Sequence, residues 1–216
     1  MTPATHPVKS TLGVLLLALA LFIPLFVTSG AGSFDFWWWM TANLLILLTV
    51  VQFVDVEWRH ALARDLRDRP IRKAGLGIAS AVALYLVFWL GNEVCRTLFA
   101  GAARDIGAVY SFKEQAPAVR IVLLMVFIIG PGEELFWRGF LQRRLAGTVG
   151  RYGGWLLATA VYASIHIAGG NPILVLAAAV CGLFWGWLYL RYRSMLLNAV
   201  SHTAWDIAAF LVFPFH

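Results

Sequence analysis

The residues able to do chemistry in this chain fall in three short stretches of its second half. They are Glu133-Glu134-Leu135-Phe136-Trp137-Arg138, Tyr162-Ala163-Ser164-Ile165-His166, and Asn198 followed by His202-Thr203-Ala204-Trp205-Asp206. All three are set in apolar runs, where an ionisable side chain is costly and by default marks a functional site. In a helix, Glu134 and Arg138 share one face at i and i+4 and can pair, while Glu133 is turned roughly 100° away. One carboxylate is then neutralised by a cation, and the other is left free to act as a base. Tyr162 and His166 stand one turn apart, and Asn198, His202 and Asp206 recur every fourth residue along one face. Three helices can thus offer carboxylates and imidazoles to a single interior cavity. Such a set brings a possible base and possible hydrogen-bond donors to one place.

The elements that must position these groups are membrane spans. The 216 residues are 61% hydrophobic and 13% charged, with a mean hydropathy of +0.77, too apolar for an ordinary soluble domain. Several apolar runs reach bilayer-spanning length. The sequence predicts an all-α polytopic transmembrane bundle, a single integral membrane domain over 1–216, with spans at about 12–27, 36–54, 76–90, from 119 through the double glutamate, 155–168, 172–190 and 195–213. A basic solvated loop is expected at 57–73, a polar connection at 101–117, and an amphipathic segment at 139–152 whose Arg143, Arg144 and Arg151 face anionic headgroups. Trp37, Trp38 and Trp39 read as an interfacial belt, and Trp185 and Trp187 as interface anchors or helix packing. Gly182 and Gly186 read as a close helix contact. Cys95 and Cys181 read as small packing residues rather than a disulfide or metal site. Lys9, the apolar run 12–27 and the small residues of 29–33 resemble a secretory signal peptide. The spans that follow favour an uncleaved first helix. Glu93 and Arg96 sit at interface depth, and His6, His60 and His216 are given no role.

The net charge of +6 does not point to nucleic acid, because the basic residues occupy short loops between apolar runs and form no groove-lining domain. Seven spans gather the N-terminus, 57–73, 138–151 and 191–193 on one side, with 13 of the 17 Lys and Arg. That side is expected to be cytoplasmic, in a bacterial inner (cell) membrane with the N-terminus inside. Counting inward from the nearest arginines places Glu133, His202 and His166 at roughly 15, 14 and 22 Å. Water is accordingly expected from the cytoplasmic side, with the cut near that boundary.

Together the three stretches resemble the CAAX-protease and bacteriocin-processing family of intramembrane endopeptidases. The family pattern is EExxxR, then an aromatic four residues before a histidine, then a histidine four before Asn or Asp. The resemblance covers about 119–208; EExxxR alone is weak, but the three in order, each in an apolar helix, are specific. It implies that Glu133 and His166 activate water, that His202 and Asp206 stabilise the oxyanion, and that Glu134 and Arg138 support the site, with Tyr162 and Asn198 beside them. Tyr162 stands where phenylalanine is commoner, and Asp206 where the CAAX endoprotease itself has asparagine. Because an ionised carboxylate cannot donate a hydrogen bond, Asp206 is expected to orient His202 through a ring N–H, leaving the other nitrogen to donate. The implied substrate is a membrane-anchored, lipidated or hydrophobic-tailed protein met within the lipid bilayer, cut near its C-terminal or membrane-proximal part.

The family is also described as metalloprotease, and Glu133, His166 and His202 could ligate zinc or another divalent ion. The HExxH signature is absent and a glutamate-based mechanism needs no metal, so no cofactor is favoured. Two other classes stand beside the enzyme. One is a non-catalytic immunity or chaperone-like membrane relative that binds a peptide. The other is a proton-coupled transporter with Glu133, His166 and Asp206 as its relay, disfavoured by the lack of an internal repeat. Retention of every candidate catalytic position favours the enzyme.

Overall fold

The computed structural model describes residues 8–31 and 34–215. The tail with His6, part of the small-residue stretch after the first span, and His216 lie outside the described residues. The chain is an all-α membrane bundle. Five helical runs are long and apolar enough to cross a bilayer: α1 (Val8–Thr28), α2 (Phe36–Val54), α4 (Pro70–Leu98), α9 (Pro172–Tyr192) and the run Met195–Val212. The last begins as α10 (Met195–Asp206) and ends in a π-helical turn, Ile207–Val212. The other two expected spans are helical too. Residues 118–142 form α6 (Ala118–Leu124), a π-helical turn (Met125–Ile129), α7 (Gly130–Glu134) and a second π-helical stretch (Leu135–Gln142). This run passes directly into α8 (Arg143–His166), which breaks at Val149 and at Gly150, whose φ is +80°.

Several expectations change. The basic loop is a helix, α3 (Val56–Arg67), because Trp58, Ala61, Leu62 and Asp65 recur on one face and dock: the Trp58 indole donates to the Leu135 carbonyl at 3.0 Å. The polar connection holds a short helix, α5 (Ala102–Tyr110). Trp37 is buried, its indole donating to the Phe112 carbonyl at 2.9 Å, so it packs inside while Trp38 stays exposed.

Polar clasps mark the two ends of the bundle. At the basic end Asp55 caps α3 by accepting from the Trp58 N–H at 3.0 Å, and it pairs with Arg144 at 2.7 Å and with Arg143. Nearby, Asp65 pairs with Lys73 at 2.8 Å and accepts from the Leu196 N–H at 2.8 Å. Arg144 is therefore buried and does not face headgroups as expected, since a carboxylate within reach outcompetes the interface. At the opposite end Asp35 caps α2 and pairs with Arg120, Asn171 donates to the Asp105 carbonyl at 2.7 Å, and Tyr110 donates to the Ala209 carbonyl at 2.8 Å. Between the ends, a Cβ on Gly182 would sit 2.9 Å from Thr159 and one on Gly186 would overlap the Trp155 ring. The glycine pair is thus the close contact of α9 with α8 that its spacing suggested.

The basic clasp gives the fold an acid-sensitive joint. Burial alone would raise the Asp55 carboxyl, but the hydrogen bond from Arg144, the charge of Arg143 and the Trp58 N–H outweigh it and hold the group below the usual carboxylate range. A depressed carboxylate contributes stability that is present above its unfolded value of about 4 and lost as pH falls through the folded value. Thermal unfolding in detergent is expected to show this loss below about pH 4. In Asp55→Asn the acid limb should flatten, and stability at neutral pH should drop by about 2 kcal/mol, less than for a fully buried pair because Arg143 is partly exposed.

Candidate active site

The double glutamate lies on α7, a short α-helical turn framed by π-helical stretches, a kind of irregularity that often accompanies functional positions. Gly130 lets α7 press against α10, because a Cβ there would collide with Thr203. That proximity brings Glu134 within reach of α10.

Glu134 is fully buried and saturated. Its Oε1 accepts from Arg138 Nη1 at 2.8 Å and from His202 Nδ1 at 2.8 Å, and its Oε2 accepts from Asn198 Nδ2 at 3.0 Å. Asn198 also donates to the Trp185 carbonyl at 2.7 Å. Arg138 lies over the rings of Tyr162 and Trp185, at 5.0 and 5.6 Å from their centroids. The pairing that the i, i+4 spacing suggested is therefore present, with His202 and Asn198 added to it.

Glu133 faces the other way. It is buried, and its Oε2 has no hydrogen-bond partner; the Tyr162 hydroxyl is near its carboxyl. His166, at the end of α8, donates from Nδ1 to the Tyr162 carbonyl at 2.9 Å. This assignment follows from the acceptor-only character of a carbonyl, and it leaves Nε2 of the neutral ring as an acceptor. Phe26 of α1 packs on the His166 ring with centroids 4.5 Å apart.

His202 is oriented differently from expectation. Its Nδ1–H is taken by Glu134 at 2.8 Å, whereas Asp206 lies 3.6 Å from Nε2, beyond a hydrogen bond. Glu134 rather than Asp206 sets the ring, because α10 presents Nδ1 toward α7 while Asp206 lies one turn further along on the Nε2 side. Trp185 stacks on the same ring at 3.8 Å between centroids and 19° between planes, and its indole donates to Ser201 at 3.1 Å. A hydrogen-bonded edge and a stacked face together leave the imidazole little freedom.

Glu133, Tyr162, His166, His202 and Asp206 all line one cavity of about 170 Å³. Glu134, Arg138 and Asn198 are absent from its walls and form the layer behind. His166 and Glu133 line one cavity although the depth count set them apart; Arg143 and Arg144 are tied to Asp55, whereas Arg151 is exposed. Two contributors were not foreseen. Trp185 carries no ionisable group and sits in an apolar run, and Phe26 is one of many apolar residues of the first helix; neither has a sequence signal of its own.

Three candidate ligands for a metal do not converge. Glu133, His166 and His202 share the cavity, but among the described residues no group of three His, Cys, Asp or Glu side chains is placed to hold an ion. The Nδ1 atoms of both imidazoles are bonded to protein acceptors, which leaves the Nε2 atom of each ring facing other partners.

Residues 115–208 match the family model described as type II CAAX prenyl endopeptidase, Rce1-like. No curated protein and no solved structure matches the chain.

Proposed function

We propose, from the premise that residues 115–208 belong to the type II CAAX prenyl endopeptidase Rce1-like family, that this integral membrane protein hydrolyses a peptide bond of a membrane-associated precursor by glutamate-activated water. The match to that family supports a protease of the CAAX type in general terms. The finer reading is carried by one observation: Glu133, whose Oε2 is buried without a hydrogen-bond partner, lines the same cavity as His166 and His202.

Water held between Glu133 and Nε2 of His166 would attack the scissile carbonyl as Glu133 takes its proton. With Nδ1–H fixed by Glu134, His202 would donate from Nε2 to the oxyanion when its ring is protonated on both nitrogens. Asp206 lies 3.6 Å from that nitrogen. Glu133 then passes its proton to the leaving amine, and the new carboxylate carries an oxygen from water. Arg138 and Asn198 act through Glu134, which they hold in place. The substrate is a lipidated or hydrophobic-tailed protein, and the membrane is taken to be a bacterial cell membrane.

No step is routed through a metal. The test is digestion of a panel of tagged, membrane-anchored peptides by the purified protein in heavy-oxygen water, before and after dialysis against a strong chelator. One heavy oxygen is expected in each new carboxylate, with most activity surviving dialysis. Activity that disappears with a bound ion and returns with it would replace this mechanism by a metal-dependent one.

A further inference from the structure

The cavity that holds the candidate catalytic groups is not centred between the two ends of the bundle. Its walls include Phe36 and Met40 from the first turns of α2, Phe112 just after α5, and Leu174 from the first turn of α9. Each belongs to the end clasped by Asp35, Arg120 and Asn171. No wall residue comes from α3, from 139–152 or from 190–196. On the basic side the site is backed instead by packed polar bonds: Glu134 with Arg138 and Asn198, then Gln142 donating to the Gly186 carbonyl at 2.8 Å, then Asp55 with Arg143 and Arg144.

A second space points the same way. An apolar chamber of about 320 Å³ lies between the later half of α4 and the first half of α9, with α5 alongside. It shares Trp205, Asp206, Phe210, Leu174 and Val109 with the catalytic cavity. The apolar chamber lies toward the end remote from the basic one, the catalytic cavity runs from that end inward to Glu133, Trp185 and His202, and Asp206 stands where they meet.

Resting on the hydrolase reading above, we propose that water and peptide reach Glu133 from the less basic end of the bundle. The positive-inside rule makes that end the outer face of the membrane. The substrate class is then a translocated precursor whose cleavable tail lies on the outer side, its apolar anchor lodged against α4, α5 and α9. This reverses the side of entry that depth counted from arginines had suggested. The count placed the groups near mid-membrane and chose the nearer boundary, but the packing closes that boundary and leaves the other one hollow.

The native thiols make the path measurable, because Cys181 is a free thiol in the cavity wall. In the full chain with Cys95→Ala, a small charged methanethiosulfonate is applied to intact cells and, separately, to inside-out vesicles, and modification of Cys181 is read by mass. Exposed single cysteines, Arg67→Cys at the basic end and Glu114→Cys at the other, are made in a Cys95→Ala, Cys181→Ala background to report the sidedness of each preparation. Cys181 is expected to react from the side that labels Glu114→Cys, which should be the outside of intact cells, and not from the side that labels Arg67→Cys. Reaction from the Arg67 side, from both sides equally or from neither overturns the proposal, as does labelling of Glu114→Cys from the cytoplasm. Since labelling requires no cleavage, a protein that labels as expected yet cuts no peptide refutes the hydrolase reading and leaves the route of access standing.

Discussion

Glu133→Gln is expected to lower the rate of peptide cleavage by roughly 10³-fold, within the range for removal of a general base, with insertion and thermal stability unchanged. The amide keeps the shape of the side chain and cannot take a proton from water. It should not weaken the fold, because the oxygen it replaces has no hydrogen-bond partner and Glu133 holds no ion pair with Arg138. The measurement is turnover of an anchored peptide by matched amounts of the two proteins, with melting temperatures recorded alongside. Cleavage at the normal rate by the glutamine protein would remove Glu133 from the mechanism. Equal loss of turnover and of melting temperature would assign it a structural role instead.

Glu134→Gln is expected to act first on stability, lowering it by about 3 to 5 kcal/mol, the cost of leaving a buried charge without its partner. Arg138 would keep its place over Tyr162 and Trp185 with no counter-charge. The amide oxygen can still accept from His202 Nδ1, but the new NH2 would face the Asn198 amide, donor against donor, where Glu134 Oε2 now accepts at 3.0 Å. Activity should fall as well, even at temperatures where the protein remains folded. The pairing itself can be isolated by adding Arg138→Met: if the ion pair is what matters, the double variant should recover part of the stability lost in the single one. Strict additivity of the two losses would show that each residue acts on its own.

Much of this site was legible because its members repeat at helical spacing. Glu134 and Arg138, Tyr162 and His166, and Asn198, His202 and Asp206 each lie on one helix face, and a charge in an apolar run draws notice wherever it stands. The separation of Glu133 from Glu134 followed from the angle between adjacent helix positions alone. Contacts between helices were not legible. That Glu134 rather than Asp206 would hold His202 depends on how closely α7 and α10 approach, which is set by Gly130 against Thr203. Trp185 belongs to the site only because α9 crosses behind His202. Helix α3 was misread for another reason: its charge density obscured the apolar face of Trp58, Ala61 and Leu62. The fate of Arg143 and Arg144 depended on Asp55, nearly ninety positions away, a pairing that no local pattern announces.

The bond network around Glu134 also bears on how the protein is made. Its carboxylate lies on α7, but Asn198 and His202 are on α10, the last helix described, and a chain leaves the ribosome from its N-terminus. Until α10 has entered the bilayer, Glu134 has only Arg138 for company, and the cavity lacks its second imidazole. A nascent or truncated chain would therefore be inert toward neighbouring polypeptides at the translocon. Such a chain would also expose an incompletely paired charge in the membrane, the kind of defect by which quality-control proteases recognise an orphaned segment. Hydrolytic competence and escape from degradation would then arrive together, with insertion of the same helix.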